Sequence, residues 1–286
     1  MATFYNQATI SYGGVVQNSN ITSGEIISGV SLTKTAISTG YGPGDGVIYA
    51  VNIVNAENTA KTGITLTDNL GAYTPAGGTS EVVPLTYVDG SLVYYQNGAI
   101  ATAPTVTAGP PLTITGIDIP ANGNVTLLYE ATANAFAPLA AASTITNTAT
   151  ATSTAFAEPL TDTASVAVNE APNLSIAKAV CPPVVNNDEA ITYTFIVQNT
   201  GNLPIDATDD LVVSDTFNPI LTGITVTLNG TALVAGTDYT YNETTGEFAT
   251  LPGVITVPAA TYTTDSTTGV ITTNPGFATL TVTGTI

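Results

Sequence analysis

Three lysines and no arginine occur among the 286 residues, and two of the lysines, Lys34 and Lys178, hold the same place in an internal repeat. Each copy also places an Asp after a later strand, Asp68 or Asp215. An Asn opens the final hairpin of copy one at Asn147, and Asn6 opens a similar segment at the N-terminus. Lysine, carboxyl and carboxamide groups held together out of water are the ingredients of an isopeptide bond. Desolvation lowers the lysine pKa so that neutral amine is available. A protonated carboxyl then polarises the Asn amide, and ammonia leaves. A buried Lys–Asp ion pair hydrogen-bonded to Asn, with no covalent bond, uses the same residues, and surface-exposed lysines are the third reading. The alternation Val30, Leu32, Lys34, repeated as Leu174, Ile176, Lys178, points each lysine toward a sandwich core. There an ammonium costs several kcal/mol unless it is paired or neutralised. If the amide forms, Lys34–Asn147 closes the first domain within a chain, and Lys178 bonds Asn6 of a neighbouring chain. Lys61 has no repeat partner and reads as a loop residue.

The elements that must position these groups follow from the repeat. Lys34 and Lys178, Tyr49 and Tyr193, and Asn55 and Asn199 are each 144 residues apart, and Asp68 and Asp215 are 147 apart. Strand-like runs such as Val47–Asn55 and Ile191–Asn199 alternate and are rich in Val, Ile, Thr and Tyr. With 26 Gly and 17 Pro at short spacing, the pattern predicts an all-β protein of two tandem Ig-like sandwiches. The nearest thing to a helical run, Ala131–Ala142, is interrupted by Pro138. Domain one is expected over 29–171 and domain two over 172–286, each large enough to hold a core.

Copy one finishes with two alternating runs, Asn147–Thr152 and Ala164–Val168, a hairpin signal. The equivalent in copy two is expected near residue 290, past Ile286. Residues 1–28 supply a similar unit instead: a run from Asn6 to Tyr12, a turn through Gly13-Gly14, and a weaker run from Ile21 to Ile27. The sequence therefore predicts a donor hairpin that completes the second domain of a neighbouring subunit, with Phe4, Asn6, Ala8, Ile10 and Tyr12 on one face. A fold-back onto its own second domain is disfavoured by the short link to Val30. An extra edge strand on domain one is the remaining placement.

Composition excludes several classes of activity. With three basic residues and a net charge of −18, the chain lacks the Lys/Arg clusters that neutralise phosphates, so no nucleic-acid partner is expected. It has no histidine, the usual base and metal ligand, and no phosphate-cradling glycine loop. No catalytic residue, cofactor or resident metal is expected, and the chain does not read as an enzyme. The acidic group Asp206, Asp209, Asp210 and Asp215 could offer oxygen ligands to Ca²⁺, or could simply be solvated. Cys181 is the one cysteine: a buried or half-buried thiol in the first strand of domain two, or an intersubunit disulfide. No stretch reaches the roughly 18 apolar residues of a membrane span, and residues 1–25 do not read as a secretory signal. Only 8% of residues are charged, against about 25% in ordinary globular chains, which fits a surface that is packed or exposed to harsh solvent.

The residues Lys34-Thr35-Ala36, Gly44-Asp45, Tyr49–Asn55, Leu66-Thr67-Asp68 and Asn147-Thr148-Ala149, with Lys178, Tyr193, Asn199 and Asp215 in copy two, resemble the prokaryotic surface repeat of the domain-of-unknown-function-eleven type. The resemblance implies an immunoglobulin-like sandwich found in tandem on bacterial and archaeal surface proteins, in a structural or adhesive role. The displaced hairpin departs from that pattern and favours a self-assembling, pilin-like subunit at the cell or spore surface. The partner expected is then another copy of the same chain, joined head to tail. A monomeric adhesion module, contacting some host or surface ligand through loops such as 71–79 or 265–276, is the alternative.

Overall fold

A computed structural model describes residues 2–26, 29–155, 158–186 and 188–286. The chain opens with β1 (Ala2–Asn6), β2 (Thr9–Tyr12), β3 (Val15–Asn18) and β4 (Thr22–Ile26). There follow β5 (Val30–Ala36), β6 (Gly40–Tyr41), β7 (Gly46–Asn55), β8 (Lys61–Asp68), β9 (Leu85–Tyr87), β10 (Val93–Gln96), β11 (Ala99–Ile100) and β12 (Thr105–Thr107). Then come β13 (Leu112–Ile119), β14 (Gly123–Ala133), β15 (Thr144–Thr152) and β16 (Leu160–Val168). The second copy supplies β17 (Leu174–Cys181), β18 (Ala190–Asn199), β19 (Ser214–Thr216), β20 (Thr222–Leu228), β21 (Thr231–Ala232), β22 (Tyr239–Tyr241) and β23 (Glu247–Thr250). It ends with β24 (Thr261–Thr264), β25 (Ile271–Asn274) and β26 (Gly276–Thr285). Two compact units emerge, one of residues 1–137 and 144–167, the other of 138–143 and 168–286. No helix among the described residues is long and apolar enough to cross a membrane.

In the first unit the sheet β5-β7-β14-β10 runs in the order A-B-E-D, and β8-β15-β16 in the order C-F-G. This is the immunoglobulin arrangement, with β13 and β12 added outside the C strand. Alternation decides which side chains form the core. Val47, Tyr49, Val51 and Ile53 of β7 and Val125, Leu127, Tyr129 and Ala131 of β14 are buried on one layer. Ile64 and Leu66 of β8, Ile114 of β13, and Ile145, Ala149 and Ala151 of β15 are buried on the other. Each such Val, Leu or Ile contributes about 1.5–3 kcal/mol by leaving water.

The second unit repeats the A-B-E-D strands of one sheet and only part of the other. Strands β17-β18-β26-β20 again run A-B-E-D. The pairing Lys34↔Val51 recurs as Lys178↔Phe195. Asn55 and Asn199 are both fully buried and close the same loop, each donating its Nδ2 protons to two backbone carbonyls (Thr59 and Pro120; Leu203 and Pro258). The opposing sheet holds only β19-β23-β22. Among the described residues nothing occupies the F and G positions beside β19, where β15 and β16 stand beside β8 in the first unit.

Among the described residues the N-terminal hairpin pairs only with itself. Ala2↔Ile26 through Asn6↔Thr22 join β1 to β4, and Thr9↔Asn18 through Tyr12↔Val15 join β2 to β3. Gly13 and Gly14, at φ 55° and 83°, form the two-residue loop that needs positive φ at both positions. Two residues of the leading strand (7–8) oppose three of the return strand (19–21), so a bulge falls on the return side and the leading strand keeps its alternation. Ile27, at the end of the expected second run, lies outside the described residues.

Leu66→Ala, at a fully buried side chain of β8, is expected to lower the stability of the first unit by about 2–5 kcal/mol. Denaturant titration of the full chain with a probe in each unit checks this; an unmoved first-unit midpoint would show that the β8 face is not core.

Candidate functional site: a Lys–Asp–Asn cluster and an open sandwich edge

In the first unit β5, β8 and β15 bring Lys34, Asp68 and Asn147 to one point in the core, with 3%, 1% and 0% exposure. Lys34 Nζ donates to Asp68 Oδ2, and so does the Tyr129 hydroxyl. Lys34 Nζ lies 3.0 Å from the Tyr129 oxygen and 4.6 Å from the centroid of the Tyr49 ring. Asp68 Oδ1 accepts from the Leu70 N–H. The Asn147 carbonyl oxygen accepts the Gly71 N–H at 3.2 Å, while among the described residues its Nδ2 and the Tyr49 hydroxyl, both buried, have no partner in good hydrogen-bond geometry. Burial lowers the Lys34 pKa, against the opposing pull of Asp68. The same burial, reinforced by the Asp68 charge, holds the Tyr49 and Tyr129 phenols well above their ordinary values. The cluster thus contains an amine pressed toward its neutral form, a carboxyl touching it, and a carboxamide whose carbonyl is polarised by a backbone donor and whose NH₂ is unbonded. Amine–amide exchange with release of ammonia needs these groups, and a hydrogen-bonded ion pair uses them too.

Several contributors were not identified from sequence. Tyr129 and Gly71 carry no repeat signal: Tyr129, which pairs with Tyr49, has Val282 as its counterpart opposite Tyr193. Asp162 of β16 accepts the Lys34 backbone N–H at 2.7 Å, joining the edge of one sheet to the other layer. Lys61 is not in a loop. It starts β8 and pairs with Glu57 at 2.7 Å.

The second unit holds part of the same cluster in a different setting. Lys178 donates to Asp215 and lies 4.5 Å from the centroid of the Tyr193 ring, much as Lys34 lies over Tyr49. Its side chain is nevertheless 42% exposed, against 0% for Lys34. The expectation that the parity of Leu174, Ile176 and Lys178 buries them is corrected: every residue of β17 is exposed, because among the described residues no F–G layer covers that face. Cys181, at the end of β17, is likewise exposed and free rather than buried. Asp206 and Asp209 form the capping box of a short 3₁₀ turn at Ala207–Asp209. An open groove of about 460 Å³ lies over the β19-β23-β22 sheet, lined by Ser214, Asp215, Thr216, Thr240, Glu247, Phe248 and Ala249.

The hairpin residues Phe4, Ile10 and Tyr12 are 52–62% exposed, and Asn6 and Ala8 are exposed with them. Phe4 and Tyr12 face Gly24 and Val15 across the hairpin, and the Phe4 ring lies so close over Gly24 that a Cβ there would collide with it. The other face carries Tyr5, Gln7, Thr9 and Ser11 of the leading strand. Residues 2–24 contain no charged side chain in a chain of net charge −18.

No family model matches the chain, and no curated protein matches it. Among solved structures the chain is similar to the major pilin subunit BcpA of Bacillus cereus, at 12% identity and TM-score 0.36, over 96% of this chain and 73% of that one. It is similar to the pilus backbone RrgB of Streptococcus pneumoniae at 12% identity and TM-score 0.33, over 87% and 55%. It is also similar to the collagen-binding subdomain of the Enterococcus faecalis surface protein ACE at 10% identity and TM-score 0.32, over 51% and 100%.

Burial raises the Tyr41 phenol to about 12 and moves Tyr49 and Tyr129 in the same direction. Stabilisation by these neutral phenols is complete below the ordinary tyrosine value near 10 and is lost as pH climbs through the folded values, because the unfolded chain then holds fewer protons. Unfolding of the first unit is therefore expected to become easier steadily above pH 10. Tyrosinate absorbance should lag behind that of free tyrosine until the fold is lost. All tyrosines ionising near pH 10 with the fold intact would contradict the burial assigned to them.

Proposed function

We propose that the chain is a structural protomer of an extracellular filament at the cell or spore surface, assembled head to tail by insertion of the N-terminal hairpin of one copy into the open second unit of the next. The family resemblance drawn from the Lys34, Tyr49, Asp68 and Asn147 motifs belongs to the same proposal. One observation carries it: the second unit has an uncovered C strand, and the chain holds an unpaired hairpin that matches the F–G hairpin of the first unit. In the first unit Ile145, Asn147, Ala149 and Ala151 point inward from β15. Aligned on the asparagines, Phe4, Asn6, Ala8 and Ile10 take those places.

Ala149 pairs with Asp68 and Thr150 with Thr67. The corresponding register sets Ala8 opposite Asp215 and Thr9 opposite Ser214. Docking restores ladder hydrogen bonds to β19 and covers β17. Burying Phe4, Ala8, Ile10 and Tyr12 supplies roughly 6–12 kcal/mol before ordering costs. Residues 2–24 carry no charge, so the leading strand meets Asp215 at the β19 edge without like-charge repulsion. Donor and acceptor are different surfaces, so the contact propagates unless a ring closes.

Isopeptide cross-linking is the finer part of this reading, and within one chain it joins Lys34 to Asn147. The intact mass of the denatured monomer is then short by one ammonia, and Asn147→Ala restores the full mass; an unaltered wild-type mass leaves the ion pair.

Purified full-length chain is expected to elute as large species and to show threads by negative stain, and removal of residues 2–12 to abolish them while the first unit stays folded. In a Cys181→Ser background, Thr9→Cys with Ser214→Cys should give an intersubunit disulfide on oxidation. Threads that survive the deletion would rule out the hairpin as donor, and a monodisperse monomer would rule it out and favour a monomeric adhesion module.

A further inference from the structure

We infer that the Lys178–Asp215 pair is an unfinished amide-forming site, completed by Asn6 of a second copy, so that docking itself makes the filament covalent. This rests on the hairpin-docking reading above. The two pairs share their environment: each lysine sits about 4.5 Å from the centroid of the tyrosine ring of its B strand and donates to the Asp of its C strand. What the second unit lacks is the carboxamide and the cover. In the first unit both arrive on β15, which brings Asn147, while its partner β16 caps the Lys34 backbone through Asp162. The hairpin carries Asn6 at the place of Asn147 with Phe4 beside it at the place of Ile145, so one insertion delivers the reacting amide and displaces the water around Lys178. The second unit has Val282 in the place of Tyr129, so Asp215 alone must carry the proton.

The step balances without an external reagent. The Lys178 ammonium passes a proton to the Asp215 carboxylate, and the freed amine attacks Asn6 Cγ. The Nζ–Cγ bond forms, and the Cγ–Nδ2 bond breaks. Nδ2 takes up one proton from the attacking amine and one from Asp215, and departs as ammonium. The exposed pair in an undocked copy has no amide to react with, so cross-linking waits for assembly and follows the order of docking.

The test uses full-length chain assembled into filaments, boiled in detergent and resolved by denaturing electrophoresis, with mass spectrometry of the digested product. Wild type is expected to give a ladder of whole-number multiples of the monomer, and a linked peptide joining the Asn6 and Lys178 segments with the mass of one ammonia missing. Asn6→Ala and Lys178→Ala should abolish the ladder, while Asn6→Asp should retain it with loss of water instead of ammonia. Threads that form but boil entirely to monomers overturn the cross-link and leave hairpin docking standing. A ladder that persists in Asn6→Ala with no Asn6–Lys178 peptide in wild type also overturns it, and failure of the wild type to form threads overturns both.

Discussion

The constraint that organises this molecule is the treatment of one strand edge. A C strand in an immunoglobulin sandwich has backbone groups on both sides to satisfy and one face to hide. In the first unit β13 lies on one side of β8 and β15 on the other, and both layers close over a buried apolar core. In the second unit β19 has β23 on one side and, among the described residues, no strand on the other. The consequence reaches across the sandwich to β17, which is held by β18 yet has no layer beneath it. A hairpin with an apolar leading face that, among the described residues, pairs only with itself presents the opposite imbalance. An isolated two-stranded hairpin is only marginally stable in water, so its side-chain alternation has value only against another surface.

The same residues behave differently in the two units because the surroundings, not the sequence, set their chemistry. Lys34 and Lys178 share strand position, ring neighbour and acidic partner, yet one is sealed and the other meets solvent. Sealing presses the Lys34 amine toward neutrality and lifts the nearby phenols. A surface ion pair is worth little, and a buried one must offset the loss of hydration. Closure of the sandwich is thus the step that would turn a weak surface pair into a reactive or strongly coupled cluster.

Sequence reasoning reached the architecture because strand alternation and the 144-residue period are local and repetitive signals. The lysines stood out because basic residues are so scarce here, and the hairpin because two glycines separate alternating runs. Tyr129, Gly71 and Asp162 were missed because they act through register: each reaches the cluster only after strands far apart in the chain have paired, and none recurs at the repeat spacing. The exposure of β17 was missed for a related reason. Parity says which side chains share a face, but whether that face is covered depends on a layer elsewhere. Lys61 read as a loop residue because the pattern before β8 is polar, though it begins a strand and pairs with Glu57.

Charge explains why such a subunit would be joined by backbone pairing and apolar packing instead of ion pairs. At a net charge of −18 with three lysines, any two copies repel at long range, and two of the lysines already face aspartates in the cores or edges of their own units. Salt screens that repulsion beyond about 10 Å at 0.1 M, leaving short-range contacts to decide the outcome. Residues 2–24, most of the hairpin, carry no charge, as do 90–117 and 131–157. Acidic residues elsewhere keep copies soluble and discourage lateral clumping, while the neutral hairpin meets no such penalty at a bare β19 edge. In the proposed assembly, an acidic body with an uncharged, amphipathic leading strand would favour end-to-end docking over lateral clumping, which is the requirement for a thread rather than an aggregate.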